Sequence, residues 1–159
     1  MSAASSDVLP QLRPMRESDV AAVMVVELDN YPYPWTEGIM RDCLRVGYSC
    51  WVLADGDTVI GYGILSAAAG EAHVLNISVA PAYQGRGLGR RLLQHLLEAA
   101  RGHGADTVFL EVRPSNRAAM RLYETAGFNQ VGLRSRYYPS ADGREDAVIM
   151  ARMLTNMVE

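Results

Sequence analysis

Apolar positions along this chain alternate between a period near 3.6 and a period of 2, and each switch marks an element boundary. Residues 9–15 read as a short strand whose two prolines suit a sheet edge. From about Glu17 the spacing of Val20, Val23, Met24 and Leu28 is helical, with Glu17 and Asp19 favourably placed in the first turn. That helix stops before Tyr31-Pro32-Tyr33-Pro34-Trp35, because each proline disfavours helix in the residue before it. Thr36 reads as the N-cap of a second helix carrying Ile39, Met40, Cys43 and Leu44, and Gly47 ends it.

Residues 48–54 and 58–67 are β-rich runs joined by Asp55-Gly56-Asp57, a hairpin signal. A turn over 68–70 leads into 71–79, so these three runs predict an antiparallel meander. A glycine-rich turn follows. Then Leu88, Leu92, Leu93, Leu96, Leu97 and Ala100 form one broad apolar face of a helix over 87–101, stopped by Gly102 and Gly104. Residues 107–113 are a strand with Val108, Leu110 and Val112 on one face and Phe109, Glu111 and Arg113 on the other. Pro114 breaks it, and Ser115 or Asn116 caps a helix that Gly127 closes. Residues 131–137 and 145–154 are the last two strands, separated by a loop around Pro139 and Asp142-Gly143.

The strand after the glycine turn's helix is most simply parallel to the strand before it, which makes the sheet mixed. The expected architecture is α/β (α+β), one domain over 9–159 behind a frayed 1–8. Its sheet has about seven mostly antiparallel strands, with helices on its faces. At 159 residues the chain suffices for one sizeable core and is too short for two ordinary domains. Hydrophobic residues make up 49% and charged ones 21%, an ordinary globular balance. The net charge of −3 argues against a general nucleic-acid binder and favours encounter with a basic partner. No run approaches the ~18 apolar residues of a membrane span. The first residues have neither the basic start nor the apolar core of a signal peptide, so a cytoplasmic chain is expected. In that reducing compartment Cys43 and Cys50 read as buried free thiols, and His73, His95 and His103 make no metal-ligand pattern with them. Nothing in the sequence fixes an oligomeric state.

The chemistry concentrates where 71–79 meets the glycine turn. Gly85, Gly87 and Gly89 remove side chains at a helix start, where unpaired N–H groups and the helix dipole favour phosphate. Arg86, Arg90 and Arg91 add positive charge. A Walker A loop needs Gly-Lys-Ser/Thr, yet Gly89 is followed by Arg90 and Arg91. The dinucleotide pattern G-x-G-x-x-G fails because Arg90 and Leu92 stand where its last glycine belongs. What remains is Gln84-Gly85-Arg86-Gly87-Leu88-Gly89, a Q-x-x-G-x-G pattern behind a strand and a Val79-x-Pro81 step. By itself this is a phosphate cradle or a plain tight turn.

With that pattern in that setting, the chain resembles the GNAT acetyltransferase superfamily. The resemblance implies a fold in which the strand before the loop and the strand after its helix splay apart, with helices on both faces of the sheet. It implies acetyl-CoA as cofactor, its pantetheine arm on the backbone of Ile77, Ser78 and Val79. The pyrophosphate would lie on Gln84, Gly85, Arg86, Gly87, Leu88, Gly89 and Arg90. Asn116 would also contact the cofactor, although an N-cap role explains that residue equally well.

Further runs are similar to the RimI-type branch of that superfamily: Leu110-Glu111-Val112-Arg113-Pro114-Ser115-Asn116, Leu122-Tyr123-Glu124-Thr125-Ala126-Gly127-Phe128, Tyr137-Tyr138-Pro139 and Asp142-Gly143-Arg144-Glu145-Asp146-Ala147. Pro34-Trp35 fits as well. The match runs over about 17–154. It implies direct acetyl transfer, in a ternary complex, to the N-terminal alanine of a small-subunit ribosomal protein. The alternatives are a GNAT enzyme for lysine or small amines, or a non-catalytic CoA-binding sensor.

The resemblance makes Glu111 the general base, acting through water, and Tyr123 the general acid. On the residues alone, Glu111 could equally pair with Arg113 on the same strand face, and Tyr123 has the surroundings of a core residue. Trp35, Tyr137 and Tyr138, with Tyr31 and Tyr33, either wall a peptide groove or pack internally. Glu145 and Asp146 either meet a basic acceptor tail or are ordinary strand-start charges.

Overall fold

Charge pairing ties the first strand to the turn that follows it. Strand β1 (Gln11–Pro14) carries Arg13, whose guanidinium donates to both carboxylate oxygens of Asp19 at 2.7 and 2.9 Å. The Arg16 N–H donates to the same carboxylate at 2.8 Å. Asp19 closes a single 3₁₀ turn (Glu17–Asp19) and is buried, so its charge requires these partners. The computed structural model describes residues 9–154; the fraying expected over 1–8 lies outside them.

Helix α1 (Val20–Asn30) buries Val20, Val23, Met24 and Glu27, whereas Leu28 is 60% exposed. The sequence pattern placed Leu28 on the inner face. Counting from Val20, the steps of three, four and seven residues end on Glu27, and Leu28 falls at the rim of the stripe. Glu27 is only 2% exposed. Its carboxylate accepts from the Tyr62 hydroxyl and, at 2.8 Å, from the Trp35 N–H. The reason lies in the proline-broken segment after α1: a non-helical backbone donor inside the protein needs a partner, and Glu27 supplies one.

Helix α2 (Glu37–Arg45) starts where Thr36 predicts, the threonine side chain accepting from the Ile39 N–H at 3.1 Å. Met40 and Cys43 turn inward, while Ile39 is 44% exposed. Strands β2 (Ser49–Asp55), β3 (Thr58–Ala68) and β4 (Glu71–Val79) follow the predicted meander. Their turns place Gly56, Ala69 and Gly70 at positive φ. Gly61 on β3 is required by packing: a Cβ there would stand 2.9 Å from the Ser78 carbonyl oxygen and 3.1 Å from Leu92.

After a 3₁₀ turn (Pro81–Tyr83) and the glycine loop comes helix α3 (Leu88–Gly102). All six apolar positions expected of it, from Leu88 to Ala100, are buried. Strand β5 (Thr107–Val112) and helix α4 (Arg117–Thr125) also lie where the pattern places them. The last hairpin differs. Strands β6 (Asn129–Ser140) and β7 (Gly143–Met153) extend almost to one another, so the expected loop around Pro139 is strand and the turn is two residues. Gly143 makes that turn at φ +120°.

The seven strands are ordered β1-β2-β3-β4-β5-β7-β6. Strand β1 is antiparallel to β2, and β7 is antiparallel to both β5 and β6. The β4–β5 pair is parallel, as the crossover through α3 predicts, with pairs running from Glu71–Thr107 to Val74–Leu110. Strand β4 then continues to Val79 beyond that ladder. The residues fall into two compact units, one up to Ile64 with Ile77–Leu92 and the other Leu65–Asn76 with the residues from Leu93 onward. In the first, Val20, Val23, Met40, Tyr62 and Ile64 share a core, and Leu53, Ile60, Val79, Leu88 and Leu92 form a second cluster. Among the described residues, no helix is long and apolar enough to cross a membrane.

Two stability tests follow from these buried charges. Glu27→Ala strands the Trp35 N–H and the Tyr62 hydroxyl and is expected to cost about 2–4 kcal/mol. Leu28→Ala, one residue along, should cost under about 0.5 kcal/mol in the same urea titration. Asp19 supplies the pH dependence. The hydrogen bond from Arg13, against the cost of burial, holds its carboxyl below the usual range. Its stabilising contribution is therefore complete above about pH 3.9 and is lost as pH falls through the lower folded value. Asp19→Asn should be less stable than wild type at pH 7, with the difference shrinking under acid, as followed by thermal melts across pH 2–7.

Candidate active site

In the first unit, the end of β4 is held by side chains rather than by a neighbouring strand's ladder alone. The Tyr31 hydroxyl donates to the Ile77 carbonyl at 2.8 Å. The Asn30 amide donates to the Val79 carbonyl at 2.8 Å and to the Ser78 hydroxyl. The Gln84 amide donates to the same Val79 carbonyl at 2.9 Å and to the Asn30 side-chain oxygen at 3.2 Å. Ile77, Ser78, Val79 and Gln84, all expected at the cofactor, are thus joined, and α1 contributes Asn30 and Tyr31 to the same cluster. The sequence reading left both out of the cofactor site, because a helix C-terminus before two prolines carries no motif. Burial, with the nearby charge of Glu27 adding to it, pushes the Tyr31 phenol up to about 12.

The glycine loop leaves this cluster at Gln84. Gly85 and Gly87 have φ near +80°, a region that side chains disfavour, and among the described residues nothing lies within 4 Å of a Cβ built on either. The room beside the backbone is open. Helical bonding begins with the Arg91 N–H on the Gly87 carbonyl at 3.2 Å, so the N–H groups of Leu88 and Gly89 belong to the first turn, where a helix has no carbonyl of its own to offer them. Buried Leu88 and Leu92 pin that turn to Leu53, Ile60 and Val79. Arg86 lies over the Tyr83 ring and donates to the Ala82 carbonyl, and Arg90 is exposed. Arg91 is turned to the Pro10 carbonyl at 2.9 Å. Trp35 packs against the first core cluster while its N–H engages Glu27.

The second unit carries the proposed acid–base groups. Glu111, on β5, is paired with Arg134 of β6 through the guanidinium Nε–H. Arg113, two residues along, is turned elsewhere: it donates to the Pro139 carbonyl at 2.7 Å and to Glu145 at 3.2 Å, and lies over the Tyr138 ring at 4.4 Å. The two arginines serve different carboxylates.

Glu145 also accepts from the Ser115 N–H at 2.9 Å and the Ser115 hydroxyl at 3.0 Å. Burial alone would raise its carboxyl, but the bonds from Ser115 and Arg113 hold it below the usual range. Asp146 accepts from the N–H of Arg136, a residue at φ +52°, at 2.9 Å. That bond sits where the β6–β7 register shifts between Arg134 and Tyr138. Both acidic residues expected to face a basic tail therefore have partners within the second unit, Glu145 in Arg113 and Ser115 and Asp146 in the Arg136 N–H. Tyr137 and Tyr138 meet edge to face at 5.0 Å, with Arg134 over Tyr137 at 5.3 Å. Burial, together with the charge of Glu111, pushes the Tyr138 phenol up to about 12.

Asn116 caps α4, its side-chain oxygen accepting from the Ala119 N–H at 3.2 Å. Tyr123 is 6% exposed and packs edge-on against Phe128 at 5.9 Å. Arg134 is the residue of this cluster that sequence reasoning missed. It lies in an exposed edge strand, where an arginine is unremarkable, and the sequence carries no signal that it faces Glu111. Cys43 and Cys50 are buried free thiols, and burial pushes both up, Cys50 to about 12.

Residues 20–128 match the model of the acetyltransferase (GNAT) family. The chain is 39% identical over 137 residues to the [ribosomal protein bS18]-alanine N-acetyltransferase of Escherichia coli K12, covering 86% of this chain and 93% of that protein. To the Salmonella typhimurium protein of the same name it is 40% identical over 134 residues, covering 84% and 90%. Among solved structures, the ribosomal-protein-S18-alanine N-acetyltransferase from Escherichia coli superposes with a TM-score of 0.87 at 36% identity. That match covers 95% of this chain and 97% of the other.

Proposed function

The chain belongs to the acetyltransferase (GNAT) family, and from that premise we propose that it acetylates the N-terminal alanine of a small-subunit ribosomal protein. The observation that carries the reading is the identity to enzymes of that name, spread over nearly the full length of both chains. The acyl donor is acetyl-CoA, which supplies an activated acetyl thioester. Its fit is supported by the open backbone at Gly85 and Gly87, the first-turn N–H groups of α3, and the run of β4 past its parallel ladder. Ile77, Ser78 and Val79 would hold the pantetheine arm. Gln84, Gly85, Arg86, Gly87, Leu88, Gly89 and Arg90 would hold the pyrophosphate, with Asn116 beside the cofactor. In this reading Asn30 and Tyr31 shape the same edge, because their amide and hydroxyl already occupy the Ile77 and Val79 carbonyls.

Amide formation needs a neutral amine, a base for the proton it sheds and an acid for the departing thiolate. An α-amine with a pKa of about 7.7–8.0 is roughly one-tenth neutral at pH 7, so modest assistance suffices. Glu111 takes the amine proton, directly or through a water. Tyr123 donates its phenolic proton to the leaving sulfur, a transfer from a group of pKa near 10 to a thiolate whose acid has a pKa near 8.5. The thiols of Cys43 and Cys50, buried and raised, are unsuited to nucleophilic attack, which favours direct transfer in a ternary complex. Tyr137, Tyr138 and Trp35 border the acceptor peptide. Glu145, held by Arg113 and Ser115, and Asp146, held by the Arg136 N–H, would act on a basic tail through their charge rather than by direct pairing. The protein is read as one cytoplasmic domain over 9–159, with a basic ribosomal-protein tail as partner and no nucleic acid or membrane.

Peptides of one sequence, differing in first residue and in N-terminal blocking, test the acceptor. A free N-terminal alanine should react best; preference for a blocked peptide with internal lysine contradicts the reading. Glu111→Gln and Tyr123→Phe should each lower kcat by about a hundredfold or more with folding intact by circular dichroism. Wild-type turnover in either variant removes that residue from the chemistry.

A further inference from the structure

We propose that Arg134 is a positioning residue for Glu111, aiming its carboxylate; this rests on Glu111 being the base. Three observations within one unit carry it. Glu111 accepts from the Arg134 Nε–H, the nitrogen nearest the aliphatic stem, so the bond fixes the direction from which the guanidinium approaches. Arg134 is itself seated on the Tyr137 ring at 5.3 Å, which limits its freedom although its side chain is 55% exposed. Arg113, the other guanidinium on the Glu111 strand face, is anchored by Glu145, the Pro139 carbonyl and the Tyr138 ring.

The bulge explains why the strand can present Arg134 in this way. The β6–β7 register breaks between Arg134 and Tyr138, and Arg136 adopts φ +52° within it. Asp146 holds the Arg136 N–H, and Arg144 donates to the carbonyls of Arg136 and Tyr137, each at 3.1 Å. This clamp keeps Tyr137 under the Arg134 guanidinium. The groups facing Glu111 are then Arg134 as the direct partner, the Tyr138 phenol, and Arg113 with Glu145 one layer away. A carboxylate that must collect a proton from a single direction loses rate when it swings, and misplacement by about 1 Å can cost up to a hundredfold.

The test uses Arg134→Met and Arg134→Lys alone, and Arg134→Met combined with Glu111→Gln, assayed on a peptide with a free N-terminal alanine. Acetyl-CoA affinity and the melting profile serve as controls. kcat and KM for the peptide are read separately, because a misaimed base slows the chemical step without weakening acceptor binding. Arg134→Met should lower kcat about tenfold with KM for the peptide within about twofold of wild type, since the carboxylate loses its aim. Arg134→Lys, which keeps a cationic donor beside the carboxylate but loses the planar fork, should fall between wild type and Arg134→Met in kcat. In the Glu111→Gln background, Arg134→Met should change the rate less than about twofold, as coupled residues do. A wild-type kcat in Arg134→Met, a loss confined to KM, or an undiminished effect in that background overturns the proposal while leaving Glu111 as the base. Wild-type turnover of Glu111→Gln instead removes the base, and this proposal with it.

Discussion

A parallel strand pair that stops pairing before one strand ends is the constraint on which the site depends. The β4–β5 ladder runs from Glu71–Thr107 to Val74–Leu110, and β4 continues to Val79. Backbone groups past such a point still need partners. The protein meets that need with side chains placed by the end of α1 and the start of the glycine loop. Tyr31 takes the Ile77 carbonyl, while Asn30 and Gln84 share that of Val79. The helix bordering the proposed acceptor side and the strand bordering the proposed cofactor side are thereby held as one piece.

The same economy of partners sorts the charges in the second unit. Two arginines and two glutamates lie close together, and each arginine is committed to a different carboxylate and a different tyrosine ring. Arg113 serves Glu145 and Tyr138; Arg134 serves Glu111 and Tyr137. Glu145 in turn ties β7 to Ser115, the residue just before the cap of α4, the helix that carries Tyr123. The structural carboxylate and the proposed catalytic one are therefore distinguishable by their partners. Glu145 is held from several sides, and Glu111 by one exposed guanidinium.

Much of this was legible in the chain, and the failures have physical causes. Element order followed from period, caps and prolines: Thr36 and Asn116 cap as their types predict, and the crossover through α3 gives the parallel pair. The glycine pattern marked the open turn before α3 because positive φ and open backbone are local properties, whereas the cofactor came from the family resemblance. Glu27 was missed because a carboxylate was discounted at a helix position whose spacing, counted from Val20, already placed it inside. Leu28 was taken in its place for its hydrophobicity. The length of the last hairpin escaped because Pro139 suggests a loop, whereas in an edge strand it removes no needed donor. Arg134 escaped because the bulge that brings it to Glu111 depends on Asp146 and Arg144, ten and eight residues beyond Arg136 in sequence but opposite in the sheet.

The account stands or falls on whether the chain modifies a ribosomal protein at its first residue. Mass spectrometry of the small-subunit ribosomal proteins from cells with and without this chain measures that directly. The account predicts one protein beginning with alanine that carries an N-terminal acetyl group only when the chain is present. Identical N-terminal acetylation in the two samples, or a difference confined to lysine side chains, would contradict it.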